Sequence, residues 1–242
     1  RVQLTPDVLP ADRTGTNVYR EQTGTFEVRE GPIFANVVLA DEINRATPKT
    51  QAALLEAMQE KQVTAAGTTY ELPRPFFVLA TQNPIDQSGT YPLPEAQTDR
   101  FLLKILVGYP DFEEERDIVN LYTAGVRTPP VDRVLTREEI RAAQSFVREV
   151  PIADDLRDRA IELVRATRED ERIEYGASPR ASMALVLTGK ARAFLQGRSH
   201  VSWEDVSAMA APVLRHRILI DFRAEREGLT PDDVVESLLA EV

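Results

Sequence analysis

The sequence predicts an α/β protein: a parallel-sheet core carrying β-hairpin inserts, followed by a C-terminal domain made of helices. Three observations predict it. Continuous apolar runs at 37–40 and 76–80, and the largely apolar run at 101–107, have the length and composition of strands buried on both faces of a parallel sheet. Helical spacing occupies the intervals between those runs, as covering helices require. Beyond Val131 the strand-like runs stop, and capped segments at helical spacing take over.

In chain order, Val2 to Leu4 reads as a short strand, and Pro6, Pro10, Asp12 and Gly15 mark a turn-rich connection. Thr25-Phe26-Glu27-Val28 alternates polar and apolar, Glu30-Gly31-Pro32 signals a turn, and Ile33-Phe34 resumes the apolar pattern. This predicts a hairpin over residues 25–34. Val37-Val38-Leu39-Ala40 is the central strand and runs directly into Asp41-Glu42. Thr47 and Pro48 suit the cap and first position of a helix reaching about Glu60, with Ala52, Leu55 and Met58 at helical spacing. Residues 63–72 alternate around Ala66-Gly67, a second hairpin, before the strand at 76–80. A loop with Gly89, Pro92 and Pro94 leads to a short helix near 95–99 and a third strand at 101–107. Pro110 opens an acid-rich helix reaching about Tyr122, and the paired prolines at 129–130 mark a linker. The expected domains are therefore residues 1–126 and 131–242.

In the second domain, Thr136 with Glu139 fits a capping box. Further helices are predicted at about 152–167, 178–195, 202–218 and 231–239, with Ser202 and Thr230 as caps. Trp203, Met209 and the late leucines read as bundle core.

Composition narrows the function classes. A hydrophobic share of 43% with 28% charged residues predicts a packed core rather than disorder. The formal net charge of -10 argues against affinity driven by phosphate-backbone neutralisation, and so against a DNA-associated motor. With no cysteine there is no disulfide, thiolate metal site or cysteine nucleophile. No apolar run has the length of a membrane span and no signal peptide is visible, so a cytoplasmic setting is the default expectation. His200 and His216 lack metal-ligand spacing.

The candidate chemistry gathers at strand ends. Asp41 and Glu42 leave the central strand at its carboxyl end, where open α/β sheets bind ligands. One carboxylate suits Mg²⁺ held against a nucleotide phosphate, and the other suits polarising the attacking water. The competing reading makes Asp41 a helix cap and Glu42 a first-turn acid. Thr81-Gln82-Asn83 ends the next strand; if the two strands are neighbours, Asn83 can orient a water near Glu42. Otherwise Asn83-Pro84 is only a turn. Arg100, at the entry to the expected third strand, is either a solvated rim charge or a group reaching a phosphate on a neighbouring subunit. Arg180 follows Ser178-Pro179 in the first turn of a helix, where anions are favoured and an arginine can clamp phosphate; taken alone, each of the two arginines reads first as a surface charge.

Asp41-Glu42-Ile43-Asn44-Arg45-Ala46, with Pro48, Thr50 and Gln51, then Ala53-Leu54-Leu55-Glu56-Ala57-Met58, resembles the MoxR family of AAA+ ATPases. Thr81-Gln82-Asn83-Pro84, residues 91–96, Asp99-Arg100-Phe101 and Gly176-Ala177-Ser178-Pro179-Arg180 continue the resemblance in the family's order over essentially the whole chain. It implies a Walker B pair, with Asp41 for Mg²⁺ and Glu42 for activating water. It further implies Asn83 as sensor 1, Arg100 as an arginine finger acting on the neighbour's ATP, and Arg180 as sensor 2 on the helical lid. The two hairpins match the family's inserts and are candidate remodelling loops. ATP and Mg²⁺ are the implied cofactors. A homo-oligomeric, hexameric ring and partners with von Willebrand factor A domains are the implied assemblies. The expected function is ATP hydrolysis driving chaperone-like remodelling or maturation of partner proteins.

One departure stands out. The family's phosphate loop, G-x-x-x-x-G-K-[ST], does not occur in the 242 residues. Gly189-Lys190 is followed by Ala191, lacks the earlier glycine and falls within a predicted helix. The first expectation is that the chain lacks the N-terminal part of the core and is inactive by itself. The alternative is a non-catalytic assembly or regulatory module, a pseudo-ATPase. Thr98, before Asp99-Arg100, also departs from the apolar residue expected there.

Overall fold

Val2, Val38, Ala40 and Val78 supply the buried face of a small parallel sheet. A computed structural model of the chain describes residues 1–7, 15–20, 25–65, 68–83, 89–125 and 131–242. These form two compact units, Arg1–Leu102 and Leu103–Val242. The junction expected between 126 and 131 falls outside the described residues.

The first unit is organised on β4 (Val37–Asp41), flanked by β1 (Val2–Gln3) and β7 (Phe77–Ala80), both parallel to it. Ala40 pairs with Val2 on one side and with Ala80 on the other. After β4 comes a single 3₁₀ turn (Ile43–Arg45) and then α1 (Pro48–Glu60), with Thr47 at its cap and Pro48 in its first turn. Leu54, Ala57 and Met58 of α1 join the cluster formed by Leu4, Ile33, Val38, Ala40 and Val78.

Burial on both faces of the sheet is not observed. Val37 is 60% exposed, Phe77 53% and Leu79 45%. Strand side chains alternate, so α1 covers the Val38–Ala40–Val78 face, and on the other face Val37, Phe77 and Leu79 stay exposed while Leu39 is half-buried. The strand expected at 101–107 is likewise absent. Phe101 packs on the core of the first unit, but Ile105, Leu106 and Val107 are exposed. No described strand pairs with this run; Phe101 N–H donates to the Thr98 carbonyl at 3.0 Å and Lys104 N–H to the Pro212 carbonyl at 2.9 Å, neither of them a ladder bond.

The first hairpin differs in its pairing. It joins β2 (Gly15–Arg20) to β3 (Thr25–Glu30), antiparallel with Gly15 opposite Glu30. Ile33-Phe34 does not form its second arm. Ile33 is buried in the sheet core, and Phe34 N–H closes back on the Gly31 carbonyl at 3.1 Å. Gly15 has φ 108°, and a Cβ there would lie 2.6 Å from the Arg29 carbonyl oxygen. The second hairpin forms as expected, β5 (Gln62–Ala65) with β6 (Thr68–Glu71). The short helix near 95–99 is α2 (Glu95–Thr98).

The second unit is helical: α3 (Phe112–Thr123), α4 (Arg137–Glu149), α5 (Asp154–Ala166), α6 (Pro179–Leu195), α7 (Trp203–Leu214), α8 (Phe222–Arg226) and α9 (Pro231–Glu241). Capping boxes close α3 at Asp111, α4 at Thr136 and α9 at Thr230. Leu163, Val164, Leu185, Val206, Val213, Leu214, Val234 and Val235 share one core. The chain there is not all helix. β8 (Ile173–Tyr175) pairs antiparallel with β9 (Leu219–Ile220), both in stretches between the expected helices, and α7 ends at Leu214 rather than near 218. Strands this short carry too little periodicity to be distinguished from loop in a sequence.

Candidate functional site: the ends of two parallel strands

The register of β4 against β7 decides where the acids lie. Leu39 pairs with Leu79 and Ala40 with Ala80, so Asp41-Glu42 and Thr81-Gln82-Asn83 emerge at the same carboxyl edge. Thr81 N–H donates to the Ala40 carbonyl at 3.0 Å, and Ile43 N–H donates to the Thr81 carbonyl at 2.9 Å. The two exits are thus stitched together before either becomes loop.

Asp41 is buried, 8% exposed, and accepts from Arg1 Nε through Oδ2 and from Thr81 Oγ1 through Oδ1 at 3.2 Å. It caps no helix. Glu42 leaves the strand in the left-handed region, at φ 56° and ψ 53°. This kink, rather than plain strand alternation, separates the directions of the two acids. Glu42 N–H donates to Thr81 Oγ1 at 2.9 Å. Its Oε2 accepts from Gln3 Nε2 at 2.9 Å and from Arg45 Nη1 at 3.2 Å.

Asn83 is exposed, and its carbonyl accepts from Asn44 Nδ2 at 3.4 Å. The loop after the 3₁₀ turn is fixed by Gln51, whose buried Nε2 donates to the carbonyls of Ile43 (3.1 Å) and Tyr91 (2.9 Å). Asp41, Glu42 and Asn83 therefore belong to one cluster at one sheet edge.

Arg100 lies just beyond α2, exposed, its N–H bonded to the Gln97 carbonyl at 3.2 Å. It precedes no strand. Arg180 occupies the first turn of α6 in the second unit, where its N–H donates to the capping Ser178 Oγ at 3.2 Å. The preceding turn is fixed by close approach. A Cβ on Gly176 would lie 2.6 Å from the Thr167 carbonyl oxygen, and Ala177 N–H donates to Thr167 Oγ1 at 3.0 Å. Gly189-Lys190 lies within α6, and Lys190 Nζ donates to the Arg148 carbonyl at 2.9 Å.

Comparison with known proteins gives the family and the fold. Residues 1–103 match the family described as "ATPase family associated with various cellular activities (AAA)", and residues 165–238 match the AAA lid domain. The chain is 44% identical over 242 residues to the uncharacterized protein YeaC of Bacillus subtilis, covering all of this chain and 76% of that protein. It is 42% identical over 251 residues to Chaperone MoxR1 of Mycobacterium tuberculosis, covering all of this chain and 66% of that protein. Protein MoxR of Methylorubrum extorquens is 31% identical over 263 residues, covering 96% of this chain and 75% of that one. The chain belongs to the MoxR family of AAA+ ATPases. The crystal structure of a proposed ATPase from Cytophaga hutchinsonii superposes with a TM-score of 0.91 at 44% identity, covering 100% of this chain and 76% of that chain.

For this MoxR-family chain, the sequence reading gave Gln3, Arg45, Gln51 and Thr81 no individual role. Gln3 and Thr81 end the two strands that flank β4. A polar residue directly after a strand is a legible signal, but its partner depends on strand order and register.

Proposed function

We propose that the chain supplies most of the catalytic apparatus of a MoxR-type ATPase, in which Mg·ATP hydrolysis drives remodelling or maturation of partner proteins. The observation that carries this reading is the convergence of Asp41, Glu42 and Asn83 at one carboxyl edge of the sheet. The donor set suits Mg²⁺, a hard cation that takes one or two carboxylates with phosphate oxygens. Asp41 is a buried carboxylate with one oxygen oriented by Thr81 and the other turned to a cation, here the Arg1 guanidinium. Asp41 would hold the ion through that second oxygen. Glu42 would take a proton from the attacking water, and Asn83 would orient that water. Arg100, supplied by a neighbouring copy, would offset the charge that develops on the transferred phosphoryl group. Arg180, at a helix N-terminus, would clamp phosphate.

The phosphate loop is not among the 242 residues, so hydrolysis is to be measured on the complete polypeptide. A homo-hexameric ring, partners bearing von Willebrand factor A domains and a cytoplasmic site of action complete the reading by family analogy. In the complete polypeptide, Glu42→Gln should retain Mg·ATP binding and lose roughly 10²-fold or more in turnover, the scale of a lost general base. Unchanged hydrolysis would remove Glu42 from the mechanism. Specific activity should also climb with protein concentration, because Arg100 acts across a subunit boundary; a flat dependence would return Arg100 to the surface.

A further inference from the structure

Thr81 has no role in the chemistry assigned above, yet its hydroxyl bonds to both members of the acid pair. Its backbone continues the ladder in both directions, through Ala40 and Ile43. Its hydroxyl then does two further things. It accepts the Glu42 N–H at 2.9 Å and faces Asp41 Oδ1 at 3.2 Å as donor. A threonine hydroxyl has one proton to give and lone pairs to receive, so both bonds form at once without conflict.

Each bond addresses a specific cost. Glu42 is one of two non-glycine residues with positive φ among the described residues. A left-handed non-glycine residue persists only where its surroundings over-determine it. The Thr81 hydroxyl is the acceptor for the amide of that residue. At Asp41 the same oxygen engages Oδ1 and leaves Oδ2 to face a cation. One oxygen atom therefore sets the rotamer of the first acid and the backbone turn that aims the second.

We propose that Thr81 is a positioning residue for the Asp41–Glu42 pair, its hydroxyl presenting Asp41 Oδ2 to the divalent cation and holding the kink that directs Glu42. The inference rests on the proposed roles of those two acids. Outer-shell hydrogen bonds to metal-binding carboxylates typically contribute 10–100-fold to metal affinity or activity. Valine matches threonine in shape and lacks the hydroxyl, whereas serine keeps the hydroxyl and lacks the methyl.

The test uses Thr81→Val, Thr81→Ser and Thr81→Ala in the complete polypeptide, with three readouts. These are hydrogen exchange at the Glu42 amide, Mn²⁺ affinity in the presence of a non-hydrolysable ATP analogue, and ATP turnover resolved into kcat and KM. In Thr81→Val, the Glu42 amide should exchange at least about tenfold faster, and Mn²⁺ affinity should fall by about tenfold or more. The loss in turnover should appear in kcat rather than KM. Thr81→Ser should stay within a few-fold of the parent on all three. Thr81→Ala replaces Thr81→Val if the latter fails to fold, with the same expectation. Parent-like amide protection and Mn²⁺ affinity in a folded hydroxyl-free variant would overturn the proposal, as would a serine variant as impaired as valine. A parent protein that binds no Mn²⁺-nucleotide would instead overturn the ATPase reading, and the positioning role with it; that outcome is recognised before any variant is compared.

Discussion

Asp41 in the sheet unit and Asp205 in the helical unit are both buried carboxylates that meet arginine, and they do different work. Asp205 is 0% exposed and saturated. It accepts from Ser202 N–H at 2.9 Å, from Ser202 Oγ at 3.0 Å, from Arg192 Nη1 at 2.9 Å, and from Arg198 Nη1 at 2.7 Å and Nη2. Every one of these donors belongs to the loop before α7 or to the adjoining α6. Asp41 has a single hydroxyl on one oxygen and a guanidinium from the chain's first residue on the other. A carboxylate fully occupied by its own fold stabilises that fold. One whose second oxygen meets only the solvent-exposed Arg1 side chain is suited to exchanging that partner for an incoming ion. The units around them do not divide in the same way: apolar side chains are exposed in both, Val37, Phe77 and Leu79 in the sheet unit and Phe112, Val119 and Tyr122 of α3 in the helical one, so the difference lies at the two carboxylates.

The comparison is broken most directly by deleting each acid. Asp205→Ala leaves two arginines without their shared partner, and breaking a buried ion pair costs about 3–5 kcal/mol. Thermal unfolding of the chain should show a fall of roughly 10 °C. Asp41→Ala should move the midpoint far less while removing divalent-cation dependence from nucleotide binding. Equal destabilisation by the two would erase the distinction.

Acid applies the same stress more gradually. Burial by itself would push the Asp205 carboxyl up, but the Ser202 amide, Arg198 and Arg192 outweigh it and hold it below the ordinary aspartate value. The Arg172 hydrogen bond lowers Asp170 in the same direction. Unfolded aspartate titrates near about 3.9. A native value below that means the unfolded chain binds more protons, so this stability is complete above about pH 5 and is lost as pH falls through the depressed native values. Urea midpoints from pH 6 to pH 3 should decline for the parent and decline less steeply for Asp205→Ala.

Gly176→Ala tests the turn before Arg180. Its new Cβ meets the Thr167 carbonyl at 2.6 Å and the Arg168 Cα at 2.7 Å, both backbone. Overpacking of this kind costs about 1–3 kcal/mol, readable in the denaturant midpoint. The smallest effect belongs to a surface cap. Thr136→Ala removes the acceptor of the Glu139 N–H, and loss of such a cap costs about 1 kcal/mol. The same measurement on the isolated α4 sequence should show reduced helicity.

Much of this was legible because it is local. Thr136 with Glu139, Thr47 with Pro48, and Ser178 with Pro179 mark helix starts through bonds or dihedrals spanning a few residues. The pairing of Gln62–Ala65 with Thr68–Glu71 was legible for the same reason. The partner of Thr25–Glu30 was not, because Ile33-Phe34 and Gly15–Arg20 compete for it and the outcome turns on Ile33 entering the sheet core. The apolar run at 101–107 misled because composition records what a segment could bury and not whether a neighbour is there to pair with it.

By itself the sequence determined the α/β-then-helix order and the helix caps, since adjacency and short spacing specify these; Asp41, Glu42, Asn83, Arg100 and Arg180 were nominated by the family resemblance. Tertiary structure alone decided that β4 and β7 run parallel in the register that joins Thr81 to the acid pair, and that Glu42 turns left-handed there. It also decided that Asp205 is enclosed by two arginines. Those outcomes depend on contacts between residues far apart in the chain, fixed by which faces pack together and by where each backbone amide finds its acceptor.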